Sequence, residues 1–320
     1  MKVSVIDGQD LGAAEIARWR EIQSAGRDFA SPYLTPQYVA AVASVRPGIR
    51  VAVMEDGNRV EGFFPYQDVA PGVAEAVGDK ISDCHAVIVR PDFPWTAEDL
   101  LRGAKLTAWH YRRVAISQTQ FHPYHAETFR SPLVDLSSGF ETYAAARQGA
   151  GSRILVKAAA AKDRLERAAG PLRYEAQCTD VAALHALLHC KSEQYRRTGY
   201  FDRFELPWVV ALLERLQATR EREFAGMLSV LWAGGQIAAA HFGMRSASVW
   251  NYWFPCFDRK FARFSPGLIL LAEILRSAAE VGVQVVELGA GDAQYKDRFA
   301  NSARVLAKGS ATVATPEPVA

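Results

Sequence analysis

Apolar residues recur at helical spacing through Ile16, Trp19 and Ile22, which predicts a helix over 13–25. Thr35, a cap residue, followed by Pro36 at the first helical position predicts a second short helix over 35–44. The pattern then changes period. Residues 50–55 and 59–67 flank Asp56-Gly57-Asn58 and predict a hairpin. Further strands are expected over 87–89 and 114–117, with helical character between them over 96–111. Pro132 and Ser137-Ser138-Gly139 mark residues 131–139 as a crossing, so a boundary falls between 138 and 139.

Beyond the crossing, residues 143–169 read as helix, ended by Gly170-Pro171, and 172–177 as strand. Two amphipathic helices are predicted over 179–197 and 207–219. Residues 225–233 and 236–245 form a strand pair around Gly234-Gly235, and 248–254 form a third strand. Ser265-Pro266-Gly267 then opens a helix to Glu280 that is apolar nearly all round, which places it between layers. A strand over 283–288, a short helix from Asp292 to Phe299 and a closing strand over 304–312 complete the pattern. The end, with Thr315-Pro316-Glu317-Pro318, has nothing to pack, so 311–320 is expected to be a disordered tail.

With 320 residues and 49% apolar side chains, the chain can build roughly two ordinary globular cores. Its 37 basic and 35 acidic residues nearly cancel, which argues against a general DNA binder. The start lacks the order of a secretory signal, and the apolar run after Gly267 is broken by Glu273 and Arg276. Neither insertion in a membrane nor export is expected, and the reading is a cytoplasmic protein. Cys84, Cys178, Cys190 and Cys256 show no metal or redox spacing and read as reduced thiols, with no metal expected.

The run Tyr252-Trp253-Phe254-Pro255, Asp258, Ser265-Pro266-Gly267, Leu288-Gly289-Ala290-Gly291-Asp292 and Tyr295-Lys296 with Phe299 resembles the GNAT acetyltransferase superfamily, in its FemAB-like, CelD/BcsL-type branch. Gly235-Gln236-Ile237-Ala238 and His241-Phe242-Gly243 fit the same pattern, and the likeness covers about residues 140–300. It implies an α+β fold of tandem GNAT-like halves, each a mixed, mostly antiparallel sheet flanked by helices. Residues 1–138 would be a degenerate first half, where the Ser82-Asp83 pair and residues 131–136 fit, and 139–310 the acyltransferase half.

At a helix N-terminus the first backbone N–H groups favour an anion, so Ser265, Pro266, Gly267, Leu268 and Ile269 are the expected seat for the pyrophosphate of acetyl-CoA or another acyl-CoA. The usual GNAT phosphate loop carries several glycines where this chain has only Gly267. By resemblance Tyr295 is the general acid for a departing thiolate, with Asp292 in the same loop and Lys296 contacting a phosphate or carboxylate of the substrate. His241 is the one histidine in the core strands and the candidate general base. Tyr252 and Trp253 could stack on a sugar, and Asp83 joins them as a substrate contact. No cysteine or serine stands beside a histidine in a nucleophile motif, which favours direct attack.

The resulting expectation is acyl-CoA-dependent transfer, of acetyl above all, from a small-molecule donor to an amino or hydroxyl group of a sugar or polysaccharide precursor, as in exopolysaccharide or cellulose production. Two alternatives accompany it. One is a FemAB-like, aminoacyl-tRNA-dependent transferase acting on a peptidoglycan precursor, and the other a non-catalytic GNAT-like subunit of a polysaccharide synthesis complex. Oligomeric state has no signature in the sequence.

Overall fold

The computed structural model describes residues 1–313 except Asp292 and the side chains of Arg27 and Asp79. Strands β1 (Lys2–Asp7), β2 (Ile49–Asp56), β3 (Arg59–Ala70), β4 (Val73–Glu75), β5 (Ile88–Val89) and β6 (Ala108–Ala115) alternate with helices α1 (Ala13–Ala25), α2 (Pro36–Ala43) and α3 (Ala97–Gly103). Next come β7 (His125–Asp135), α4 (Phe140–Gly149), α5 (Ile154–Ala169), β8 (Leu172–Glu175), α6 (Val181–Thr198) and α7 (Pro207–Ala218). The chain ends on β9 (Phe224–Ala233), β10 (Gln236–Ser246), β11 (Val249–Phe257), α8 (Pro266–Glu280), β12 (Val285–Glu287), α9 (Gln294–Phe299) and β13 (Ser302–Thr312).

Two compact units result, one of Met1–Arg130 with the chain from Arg304 on, the other Ser131–Ala303. The first holds strands in the order β1-β2-β3-β4-β6-β13, with β5 on β3. All neighbours there are antiparallel except β4 and β6. Its core gathers Phe64, Trp109, Tyr111 and Phe121. Trp19 of α1 stacks on Phe63 at 4.8 Å and donates its indole N–H to the Leu34 carbonyl, so the ring is buried with its polar atom satisfied.

The second unit has the order β7-β12-β11-β10-β9-β8, antiparallel except for β11 with β12. Its core is built on α8, whose Ile269, Leu270, Leu271, Ile274, Leu275 and Ala278 are buried against α5 and the sheet. Helix α5 answers with Ile154, Ala158, Ala161 and Leu165, one stripe at helical spacing. Each unit is thus a mixed, mostly antiparallel sheet flanked by helices, an α+β architecture.

Several elements differ from expectation, each for a local reason. The helix predicted over 96–111 stops at Gly103, and Tyr111 lies in β6, because alternate residues Trp109 and Tyr111 pack into the core at a period of two. Residues 131–135 are strand rather than a loose crossing; the Pro132 carbonyl accepts from the Leu288 N–H, and Pro132 needs no donor of its own there. The units meet along the chain at Arg130/Ser131 instead of 138/139. Ala311 and Thr312 belong to β13, with Ala311 fully buried, so the expected tail loses its first residues to the sheet; residues 314–320 lie outside the described residues.

One packing constraint sits at the centre of the second unit. The pairing of β10 with β11 shifts register between Phe242 and Met244, and a Cβ on Gly243 would overlap the Asn251 carbonyl and the His241 ring. Gly243→Ala should therefore cost about 1–3 kcal/mol or more through forced backbone movement. Gly149→Ala, whose added methyl meets nothing within 4 Å near the end of α4, should be neutral or gain up to about 1 kcal/mol. Urea unfolding of both variants checks the contrast.

Candidate functional site

Strands β11 and β12 run in parallel for three couples, Val249 with Val285, Trp250 with Val286 and Asn251 with Glu287. Then β12 ends, while β11 continues to Phe257. A parting of this kind opens a slot inside the sheet, floored by core and edged by backbone groups suited to an extended, amide-bearing ligand. Asn251 and Glu287, fully buried and 5% exposed respectively, stand at the point of divergence.

His241 braces the open strand. Its ring stacks on Tyr252 with centroids 4.4 Å apart, and its Nε2 accepts the Trp253 backbone N–H at 3.1 Å. That bond places the ring proton on Nδ1. Burial pushes the imidazole pKa down to about 3. With its basic lone pair engaged by Trp253, the geometry suits His241 to holding β11 more than to taking a proton from an acceptor. Tyr252 is itself buried, and Trp253 stacks on Phe254 at 4.5 Å.

Tyr295 lies in the first turn of α9 and packs half-buried against the α8 core, near enough to Tyr252 to raise that phenol's pKa further. Burial raises its phenol to about 12, so it holds its proton at neutral pH. Lys296 turns back on the loop after β12, its Nζ donating to the Gly289 and Ala290 carbonyls at 3.0 and 2.9 Å. Asp292, between them in the sequence, lies outside the described residues. Asp83 sits in the other unit, ion-paired with Arg113 at 3.2 Å, and its carboxylate is engaged there.

At the start of α8, Ser265 adopts a left-handed conformation (φ 53°) and makes no side-chain cap. Its carbonyl accepts from the Leu268 N–H at 3.0 Å and the Ile269 N–H at 3.5 Å. Of the three N–H groups expected to face an anion, Gly267 keeps its own open among the described residues; Ile269 points into the core and Pro266 is buried. The preceding segment, Arg259–Phe264, is a tight helical turn capped by Asp258, which fills the place of a glycine loop. Arg259 from that turn joins Arg196 and Arg197 of α6 around a cavity of about 1000 Å³, over Ile237, Ala239 and Phe257. These are donors fit for phosphate groups.

Two further features were not foreseen. Lys191 of α6 donates to the Pro255 carbonyl at 3.0 Å and to Gln194 at 3.1 Å, and burial, aided by the Lys296 charge, lowers its pKa to about 8. Nothing in an amphipathic helix distinguishes such a lysine. Cys190 and Cys256, expected as reduced thiols, are joined as a disulfide on the cavity wall, with Cα atoms 6.4 Å apart. Sixty-six residues separate them in sequence, and only the packing of α6 on the end of β11 brings them together. Cys84 and Cys178 are free and buried. Among the described residues no group of three His, Cys, Asp or Glu side chains is placed to hold a metal, and no helix is long and apolar enough to cross a membrane.

Residues 156–297 match the family model described as Acetyltransferase (GNAT) domain. That segment contains the parted strands, α8 and the start of α9, and lies within the second unit, which is thus similar to an acyltransferase domain of the GNAT type. Among solved structures, the chain is similar to FemX, at 10% identity and a TM-score of 0.61 over 97% of this chain and 96% of that one. A tandem GNAT protein from the clavulanic acid biosynthesis pathway aligns at 11% identity and a TM-score of 0.55, over 99% and 100% of the two chains. The C-terminal domain of a putative lysylphosphatidylglycerol synthetase from Agrobacterium fabrum aligns at 17% identity and a TM-score of 0.55, over 92% of each. These likenesses extend over nearly the whole chain and show a tandem GNAT fold. No curated protein matches by sequence.

The buried imidazole of His241 has a consequence for stability. An unfolded histidine takes a proton near pH 6.5, whereas the folded ring resists it until about pH 3. The unfolded state therefore binds more protons between these limits, so stability is intact above about pH 6.5 and falls as the pH drops below it. At pH 5 the loss from this one group should be about 2 kcal/mol. His241→Gln should flatten that slope by a similar amount, which denaturant melts at pH 7.5 and 5.0 would reveal whatever the variant's overall stability.

Proposed function

We infer that the protein transfers an acyl group, acetyl above all, from acyl-CoA to an amino or hydroxyl group on a sugar or polysaccharide precursor. The observation that carries the donor half of this reading is the parting of β11 from β12 after Asn251, beside the start of α8. Bound acyl-CoA would supply the acyl group as a thioester. The open edge of β11 suits its extended amide arm, and Gly267 N–H and Arg259 suit its phosphates. Tyr295 Oη, protonated at neutral pH, would deliver the proton to the departing thiolate. On the acceptor side, the CelD/BcsL-like residues from Tyr252 to Asp258 support a carbohydrate, and the cavity along α6 offers the room.

A second reading rests on the turn at Arg259–Phe264, which replaces a glycine loop, and on the likeness to FemX: donation from an aminoacyl-tRNA to a peptidoglycan precursor. Thermal shift separates the two. Acetyl-CoA should raise the melting temperature through mass action, and Gly267→Asp should abolish the rise by setting a carboxylate against the phosphates. Absence of a shift at millimolar acetyl-CoA, with binding of charged tRNA, would establish the second reading instead.

Tyr295→Phe keeps the ring and removes the proton. Turnover should fall by about 10²- to 10⁴-fold while donor binding and melting temperature hold, and full activity in this variant would remove Tyr295 from the proton path.

A further inference from the structure

The edge of β11 that β12 leaves carries a side chain from α6. Across the ladder of β10 and β11 the Asp258 N–H donates to the Ala238 carbonyl. Backbone groups alternate along a strand, so those of Cys256 also face β10, while those of Pro255, opposite His241, face the other way, into the gap. Proline, which has no N–H, fits a position whose amide would face no partner strand. Its carbonyl accepts from Lys191 Nζ at 3.0 Å, so the amine of Lys191 stands on the parted edge itself.

This amine is placed unlike the chain's ion-paired lysines. Lys2, Lys162, Lys260 and Lys308 each face a carboxylate. Among the described residues Lys191 has no such partner: it donates to the Pro255 carbonyl and to Gln194 Oε1, both neutral, and lies 5.2 Å from the centre of the Tyr195 ring. The charge that acts on it is a like one, the Lys296 ammonium, held on the β12 side of the gap by the Gly289 and Ala290 carbonyls. Burial first, and then that repulsion, disfavour the protonated form and lower its pKa to about 8, so about a tenth of the side chain is neutral amine at pH 7. Two N–H groups serve the two oxygens. The third proton can therefore leave without breaking a hydrogen bond, and the lone pair it uncovers is a nucleophile.

We propose that Lys191 Nζ is a self-acylation site, which takes the acyl group of acyl-CoA bound along the free edge of β11 when no acceptor is present. The inference rests on the donor reading given above. Nζ first loses one proton to solvent, and its lone pair attacks the thioester carbon. The C–N bond forms as the C–S bond breaks, and a second proton lost from Nζ balances the one that the departing thiolate takes up. The product is an amide, which keeps the acyl group instead of passing it on, and it removes a charge that the buried position disfavours. The mark accumulates while donor is supplied without acceptor.

The test needs no acceptor. The full chain is incubated at pH 8 with ¹³C-acetyl-CoA, and each lysine is scored by peptide mass spectrometry. Lys191 should gain label at least about tenfold faster than the exposed Lys157, because binding holds the thioester beside it. N,S-Diacetylcysteamine, a thioester without the nucleotide and its phosphates, should show no such preference at equal concentration. Gly267→Asp should suppress labelling of Lys191 and leave that of Lys157 unchanged. A melting temperature raised by acetyl-CoA with Lys191 labelled no faster than Lys157, or equal preference for Lys191 with diacetylcysteamine, would overturn the proposal and leave the donor reading standing. Neither a rise nor a label would overturn both.

Discussion

A β-sheet that parts two of its strands leaves backbone donors and acceptors facing a gap, and the second unit is organised around keeping such a gap open. Strand β11 stays extended past Asn251 only because something other than β12 holds it. The bulge at Gly243 brings the β10 backbone close, His241 takes the Trp253 N–H, and its ring lies flat on Tyr252. On the far side of the sheet α8, buried nearly all round, fixes the floor. From α6, Lys191 reaches the Pro255 carbonyl and Cys190 reaches Cys256, so the free end of the strand is tied by two side chains from one helix. The candidate acid Tyr295 and the loop clamp Lys296 stand where the departing strand leaves room for them.

Much of this architecture is legible in the sequence because it depends on local patterning. Helix α1 has the predicted bounds, Gly234 and Gly235 sit in the hairpin turn with positive φ, and the all-round apolar run after Pro266 is a sandwiched helix. What escapes is set by tertiary contact. Tyr111 lies in a run that also fits a helix, and only the core opposite β6 selects the two-residue period. Strand β1 is short and half-exposed, held by β2 from a distance of some fifty residues in the chain, and its pattern alone is weak.

The site divides in the same way. His241, Tyr252 and Tyr295 stand out by type and by resemblance, and they do gather in one part of the second unit. Their relationships do not stand out: which imidazole nitrogen is engaged depends on a register shift two residues away, and Asp83, chosen on the likeness of a single dipeptide, belongs to another unit and to Arg113. The arginines of α6 and the Cys190–Cys256 pair become neighbours only when that helix settles on β11. Repetition between the halves is equally hidden. Three parallel couples followed by a parting occur in both, yet the side chains at the two partings, Asn251 with Glu287 and Glu75 with His110, share no sequence motif.

The last strand changes how the chain must come into being on a ribosome. Strand β13 pairs with β6 from Leu306 with Ala115 to Thr312 with Ala108, so the first unit lacks the strand that ends its order until residues 306–312 are made. Synthesis normally lets the N-terminal domain fold first. Here the order is reversed: every residue from Ser131 to Ala303 is available before the first unit can close. Through that interval β6 presents an unpaired edge beside a large aromatic cluster, the kind of surface that recruits other strands. A nascent chain stalled before residue 304 would hold a complete second unit behind an unfinished first one, and chaperone protection during translation matters most for the half made first.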